Sequence, residues 1–182
     1  MRTALILVLA GALCAAAAAA GAAHFPYIGL YADQGHSDCD WEGPPFSTAT
    51  FWVWVLPGDD GIFCAEFEIV TPANVINAST GTNPEAGYSV GDALVAPGTT
   101  ICFPDCRTDW VWTHSLACLI IDSSKTQIRI EPHGDYGIVR AAVCTEPVEN
   151  VEMVVLTHLF INQTCAIGDR PSSWGAVKQL LR

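Results

Sequence analysis

Apolar and polar side chains alternate with a period of two through most of this chain, the spacing of strands that bury one face and expose the other. The runs YIGLYAD (27–33), TATFWVWVL (48–56), IFCAEFEIV (62–70), TTICF (99–103), DWVWTHSLACLII (109–121), TQIRIEP (126–132), GIVRAAVC (137–144) and VEMVVLTHLFI (151–161) each predict a strand. In the third run Phe63, Ala65, Phe67 and Ile69 share a face opposite Glu66 and Glu68, and that face is assigned to the core. The second run is apolar on both faces, with Phe51, Val53 and Val55 on one and Trp52, Trp54 and Leu56 on the other. Such a strand is central in its sheet or covered on its outer side. Pro57-Gly58-Asp59-Asp60-Gly61 supplies turn chemistry and reads as the bend of a hairpin joining these two runs.

Residues 71–98 are crowded with Pro, Asn and Gly and read as a long loop holding one short strand near Tyr88 to Val90. Loops of that length are often functional. The apolar run from Trp110 to Ile121 is long enough to bend or to cross between sheets. Eight or so strands, regular turn signals and no convincing helix in the body predict an all-β fold. An antiparallel β-sandwich, Ig-like or jelly-roll-like, is the architecture that pattern favours, with a closed barrel as the alternative. After Cys165 the pattern changes: Arg170-Pro171 marks a hinge, and Ser172 or Ser173 caps a short helical tail bearing Trp174, Val177, Leu180 and Leu181.

The N-terminus alters the redox setting of the whole chain. Arg2, the apolar run Ala4 to Leu13 and the small residues at Gly21, Ala22 and Ala23 read as a secretory signal cleaved after residue 23. A poly-alanine stretch is too weakly apolar to hold a membrane span, which needs about 20 strongly apolar residues. The expected organisation is a leader over 1–23, a β-sandwich over 24–165 and a hinge with its tail over 166–182. Of eight cysteines, cleavage removes Cys14 and leaves Cys39, Cys64, Cys102, Cys106, Cys118, Cys144 and Cys165. In an exported protein these are disulfide candidates. Seven allow at most three bridges and one odd thiol, in on the order of 100 patterns among which sequence does not choose.

Charge excludes one class of partner. Net charge is −11, and losing Arg2 makes it −12. A chain so acidic has no basic footprint for nucleic acid.

Chemistry-bearing residues are scattered. Cys102-Phe-Pro-Asp-Cys106 is half of a zinc pattern whose second half is missing. Asp33, His36, Asp38 and Asp40 place ligands at close spacing and support, as an alternative, a metal-dependent hydrolase. An EF-hand register is absent, because Glu42 arrives too early. His114 and His158 fall inside strands and read as structural, and Glu66 with Glu68 read as solvated acids rather than a glycosidase pair. Asn77-Ala-Ser79 and Asn162-Gln-Thr164 match the glycosylation acceptor pattern. Trp52, Trp54, Trp110 and Trp112 form two W-x-W ladders. Buried, they are cross-strand packing; exposed, they would stack sugar rings or grip a partner.

The segments YIGLYAD and DCDW, CAEFEIV followed by TPANVI, ICFPDC and the final SSWGAVKQLLR resemble a group of secreted bacterial cysteine-containing β proteins. That resemblance covers most of the mature chain and implies no reaction and no catalytic residue. The order of a strand, GIFCAEFEIV, a turn, NVI and an extended loop also resembles the early part of cohesin and related carbohydrate-associated β-sandwich modules. The extra cysteines depart from cohesins, so this likeness implies the sandwich and nothing about dockerin recognition. The expectation is therefore a secreted, non-enzymatic binding or surface-structural module. It needs no cofactor or metal and has a protein or glycan partner. A carbohydrate-binding module using the Trp ladder is its alternative.

Overall fold

The computed structural model describes residues 25–165; the expected leader (1–23) and the expected hinge and helical tail (166–182) lie outside them. The strands of this region, in chain order, are β1 (Tyr27–Tyr31), β2 (Asp40–Trp41), β3 (Ser47–Leu56), β4 (Ile62–Val70), β5 (Val75–Thr82), β6 (Tyr88–Asp92) and β7 (Val95–Arg107). They continue with β8 (Val111–Ile120), β9 (Thr126–Glu131), β10 (Arg140–Val143), β11 (Glu149–Glu152), β12 (Val154–Thr157) and β13 (Leu159–Ile161). They form two sheets packed as a sandwich. One sheet has five strands in the order β12-β1-β3-β8-β5, and the other runs β11-β10-β4-β9-β13-β2. Strand β7 pairs with the stretch of β4 that also pairs with β10, so the two flank it on opposite sides, and β6 lies beyond β7. Pairing is antiparallel except between β1 and β12 and between β13 and β2.

Period-two burial does what the sequence pattern demands. Phe51, Val53 and Val55 of β3 are fully buried on one side of the core, and Ala65, Phe67 and Ile69 of β4 are buried with them. Ile28, Leu30, Leu116, Ile120, Ile101, Ile128 and Leu159 join the same cluster. Each fully buried Phe, Ile or Leu adds about 1.5–3 kcal/mol by leaving water. Phe63 departs from the expected face. The β4–β7 register shifts between Ile62 and Cys64, and this bulge puts Ile62 in the core and leaves Phe63 half-buried.

The hairpin expected over 51–70 is not one. Strand β3 pairs with β1 and β8, whereas β4 pairs with β7, β9 and β10, so the 57–61 connection crosses from one sheet to the other. The physical reason is that the apolar faces of the two runs oppose each other across the core rather than lying side by side. Gly61, at φ +68°, makes the turn and donates its N–H to Gly58 O at 3.0 Å.

The expected long loop 71–98 also folds further than its composition suggests. It contains β5, which pairs with β8 from Val75 to Thr82, as well as β6 and the start of β7. Strand β8 bends at a bulge but stays in one sheet; the run that crosses is 151–161, which divides into β11, β12 and β13 with partners in both sheets.

Six of the seven cysteines pair: Cys39 with Cys165, Cys64 with Cys102, and Cys106 with Cys144. Cys118 is the free one, buried on the inner face of β8. Burial pushes its thiol up to about 11, so it is protonated and unreactive at neutral pH.

Candidate functional site

On the outer face of the five-stranded sheet, β3 presents Trp52 and Trp54, with Tyr31 of β1 directly opposite Trp52 and Gly29 opposite Trp54. Gly29 is required there, because a Cβ at that position would come within 2.8 Å of the Tyr31 ring. On the other side of β3, the register with β8 shifts between Val53 and Trp54, so that Val53 faces His114 while Trp54 faces Trp112. Thr113 is the extra residue of this bulge. Its hydroxyl donates to Val53 O at 3.4 Å, and its carbonyl accepts Asn83 N at 2.9 Å. The buried Asn83 side chain also donates to Trp112 O at 2.7 Å.

The bulge rephases β8. Trp112 before it shares the outer face with Ser115 and Ala117 after it, while His114, Leu116 and Cys118 turn into the core. His114 packs edge-on against Phe67. Burial drives its pKa down to about 4, against a smaller upward pull from Asp92. It is a neutral core residue at physiological pH, as its position in the strand suggested.

All four predicted tryptophans meet on this face. Trp52 and Trp112 contact edge to face at 5.1 Å. Trp54 and Trp110 lie 6.5 Å apart, and His36 is inserted against both, stacked on Trp110 at 4.4 Å and tilted on Trp54 at 4.8 Å. Tyr31 closes the cluster, 6.2 Å from Trp110 and 6.1 Å from His36. Its hydroxyl is pushed up to about 12 by burial and then by the nearby Asp33 charge. The ladder is thus two unequal pairs. Trp52 and Trp112 are half-buried in mid-sheet, and Trp54 and Trp110 are covered by the imidazole. His36 and Tyr31 are members that the sequence pattern did not reveal.

The loop that carries His36 is built by Asp33. Its carboxylate accepts Gly35 N at 3.0 Å, Ser37 N and Ser37 Oγ at 2.9 Å, and Asp38 N at 2.8 Å. Burial pushes Asp33 up, but these hydrogen bonds outweigh it and hold the carboxyl below its usual range. His36 sits at φ 47°, a left-handed conformation uncommon for a side-chain-bearing residue. This fixes the ring on the tryptophans. His36 Nδ1 and Trp54 Nε1 are both buried without a hydrogen-bond partner among the described residues. Burial lowers the His36 pKa, with Asp33 pulling the other way.

The metal-ligand set Asp33, His36, Asp38 and Asp40 is not assembled. Asp33 turns into its own loop and His36 onto indole rings. No group of three or more His, Cys, Asp or Glu side chains placed to hold a metal occurs among the described residues. Glu66 pairs with Arg140 and accepts the Thr100 hydroxyl, while Glu68 lies opposite Glu131 in the ladder, so the two acids sit in different environments. His158 Nδ1 accepts Ile130 N at 3.3 Å, a structural contact. Of the glycosylation-pattern asparagines, Asn162 accepts Gly43 N and donates to Asp122 O, and Asn77 bonds the Thr80 hydroxyl across the β5 bulge.

No family model matches the chain, and no curated protein matches its sequence. Solved structures do share its fold. The seventh ScaB type I cohesin from Pseudobacteroides cellulosolvens superposes with a TM-score of 0.54 at 7% identity, covering 79% of this chain and 96% of that one. A type I cohesin–dockerin complex from Clostridium thermocellum gives 0.53 at 9% identity, over 75% and 99%. A non-cellulosomal cohesin from the archaeon Archaeoglobus fulgidus gives 0.50 at 9% identity, over 75% and 89%. At such identities the similarity establishes a cohesin-like β-sandwich and carries no residue role.

Proposed function

We propose that this domain is an exported, non-enzymatic binding module that docks a protein partner on the outer face of its five-stranded sheet. The observation that carries this reading is the gathering of Trp52, Trp112, Trp54, Trp110 and Tyr31 on that face of a cohesin-like sandwich. Aromatic side chains supply large, rigid contact area at low entropic cost and dominate the energy of protein interfaces. Solved structures that share this fold include cohesins described in complex with dockerins. Three bridges suit an oxidising compartment, which supports export. Asp33, Glu66, His114 and His158 are engaged in structural contacts, which favours binding over catalysis.

A protein partner is preferred to a glycan because the rings meet edge to face and His36 covers Trp54 and Trp110. A sugar platform needs ring faces left open. The test is capture from the host's secreted fraction by the immobilised domain and by its Trp52→Ala/Trp112→Ala variant. A single protein retained at near-stoichiometric level by the wild type, and lost at least tenfold by the variant with its fold intact, is the expected result. Retention of the domain on cellulose, chitin or xylan, abolished by the same substitutions, would establish the carbohydrate-binding alternative instead.

A further inference from the structure

A second site lies on the opposite side of the sandwich, on the outer face of the eight-stranded sheet where β4 ends beside the start of β9. A groove of about 440 Å³ opens there, within the range of small-ligand sites. Its cations are Lys125 and Arg129, its amides Gln127 and Gln163, and Val70 and Pro72 give it an apolar wall. Cations are scarce in a chain with 8 Lys and Arg against 19 acids. Arg107 and Arg140 are committed to Glu85 and Glu66. Lys125 makes no ion pair among the described residues. Arg129 uses Nε on Glu131 at 3.0 Å, which leaves its terminal nitrogens for a ligand.

One of the amides is ordered too. Gln163 Nε2 donates to Thr126 O at 3.0 Å, fixing its carbonyl oxygen as an acceptor. The Thr126 hydroxyl is buried in the groove wall with no hydrogen-bond partner among the described residues. Two cations select a carboxylate, and amide donors and acceptors on β9 and just after β13 select hydroxyl groups. Strand β9 pairs with β13 through Thr126–Ile128 and with β4 through Arg129–Glu131, so the groove opens where β4 leaves β9. The net charge of −11 disfavours a polyanion.

We infer that this groove binds a carboxylate-bearing saccharide, a uronic-acid residue, with Lys125 and Arg129 holding the carboxylate and Gln127 and Gln163 reading the ring hydroxyls. The site is separate from the tryptophan face and does not depend on its role.

Calorimetric titration of the full chain with sodium galacturonate and digalacturonate, against galactose as the neutral control, tests it. Saturable uronate binding in the roughly millimolar range is expected, with galactose at least ~10-fold weaker. Raising salt from about 50 to about 500 mM should weaken it several-fold. The Lys125→Met/Arg129→Gln variant should lose at least ~10-fold in affinity with an unchanged melting temperature, while Trp52→Ala/Trp112→Ala keeps it. In the wild type, uronate should shift the side-chain amide NMR signals of Gln127 and Gln163, a readout independent of how the double variant folds. No saturable binding of either uronate up to about 20 mM would overturn the inference. So would equal affinity for galactose, unmoved Gln127 and Gln163 signals, or tighter binding of an oligoglutamate peptide.

Discussion

The two sheets hold themselves together by different means. In the five-stranded sheet, β3 and β8 pair from Ser47 to Val55 with one bulge, and each is 10 residues long. In the other, β2 has two residues, β13 three, and β10 and β11 four each, while β4 is shared among β7, β9 and β10. All three disulfides fall in or beside the sheet that holds these short strands, two of them anchored on its long strand β7, and the free Cys118 lies in the five-stranded sheet. Ladder hydrogen bonds and side-chain burial grow with strand length, so a two-residue strand such as β2 brings little of either. Cys39, just before β2, and Cys165, just after β13, supply covalently what that pair lacks. The lesson is that the aromatic face rests on a sheet needing no staple of its own. Its opposite layer is stapled at several points.

Removing the staples should have the largest effect. Loop-closure entropy grows with the length closed, so the bridge between Cys39 and Cys165, separated by 126 residues, is worth about 5 kcal/mol. Each of the two bridges spanning 38 residues is worth about 4 kcal/mol. Urea unfolding of Cys39→Ser/Cys165→Ser against Cys118→Ala measures the contrast directly. Cys118→Ala should cost only about 1 kcal/mol. Equal losses would break the comparison.

Within the unstapled sheet the two faces of β3 should differ. Phe51 is fully buried, and Phe51→Ala should lose about 3–5 kcal/mol. Trp52 on the outer face is half-buried, and Trp52→Ala should lose roughly half as much. Thermal melts giving the reverse order would place the core on the wrong side of the strand.

Acid should find the core through His114. Burial holds its pKa at about 4 against an ordinary 6.5. Between those values the unfolded chain takes up a proton that the native state refuses. Stability is therefore full above about pH 6.5 and falls as pH drops toward 4, by about 3 kcal/mol in all. His114→Leu should flatten that part of the stability profile. An unchanged slope would put the acid sensitivity elsewhere.

Much of this architecture was legible in the sequence, because period-two alternation reports which side of a strand is buried. It does not report which sheet the strand joins. Hence the runs around Pro57–Gly61 read as a hairpin, although their apolar faces meet across the core. Strand β5, VINASTGT, hid in a supposed loop because a solvent-facing edge strand needs little apolar alternation. The division of 151–161 into three strands left no compositional mark. At the candidate site, the W-x-W spacing revealed the four tryptophans. His36 arrives through a left-handed turn around Asp33, which only the Asp-x-Gly-His order hinted at. Lys125 and Arg129, two cations four positions apart in so acidic a chain, were the available signal for the groove, and scarcity rather than motif would have found them. Cysteine pairing depends on tertiary neighbours, and no local pattern carries it.

The central claim is a sandwich stapled in one layer that leaves the other layer's aromatic face free for a partner. Non-reducing peptide mass spectrometry of the oxidised protein, with thiol labelling before and after unfolding, tests it most directly. The expected map joins Cys39 to Cys165, Cys64 to Cys102 and Cys106 to Cys144, with Cys118 labelled only after unfolding. A bridge to Cys118, or a Cys118 thiol that labels in the native state, would contradict it.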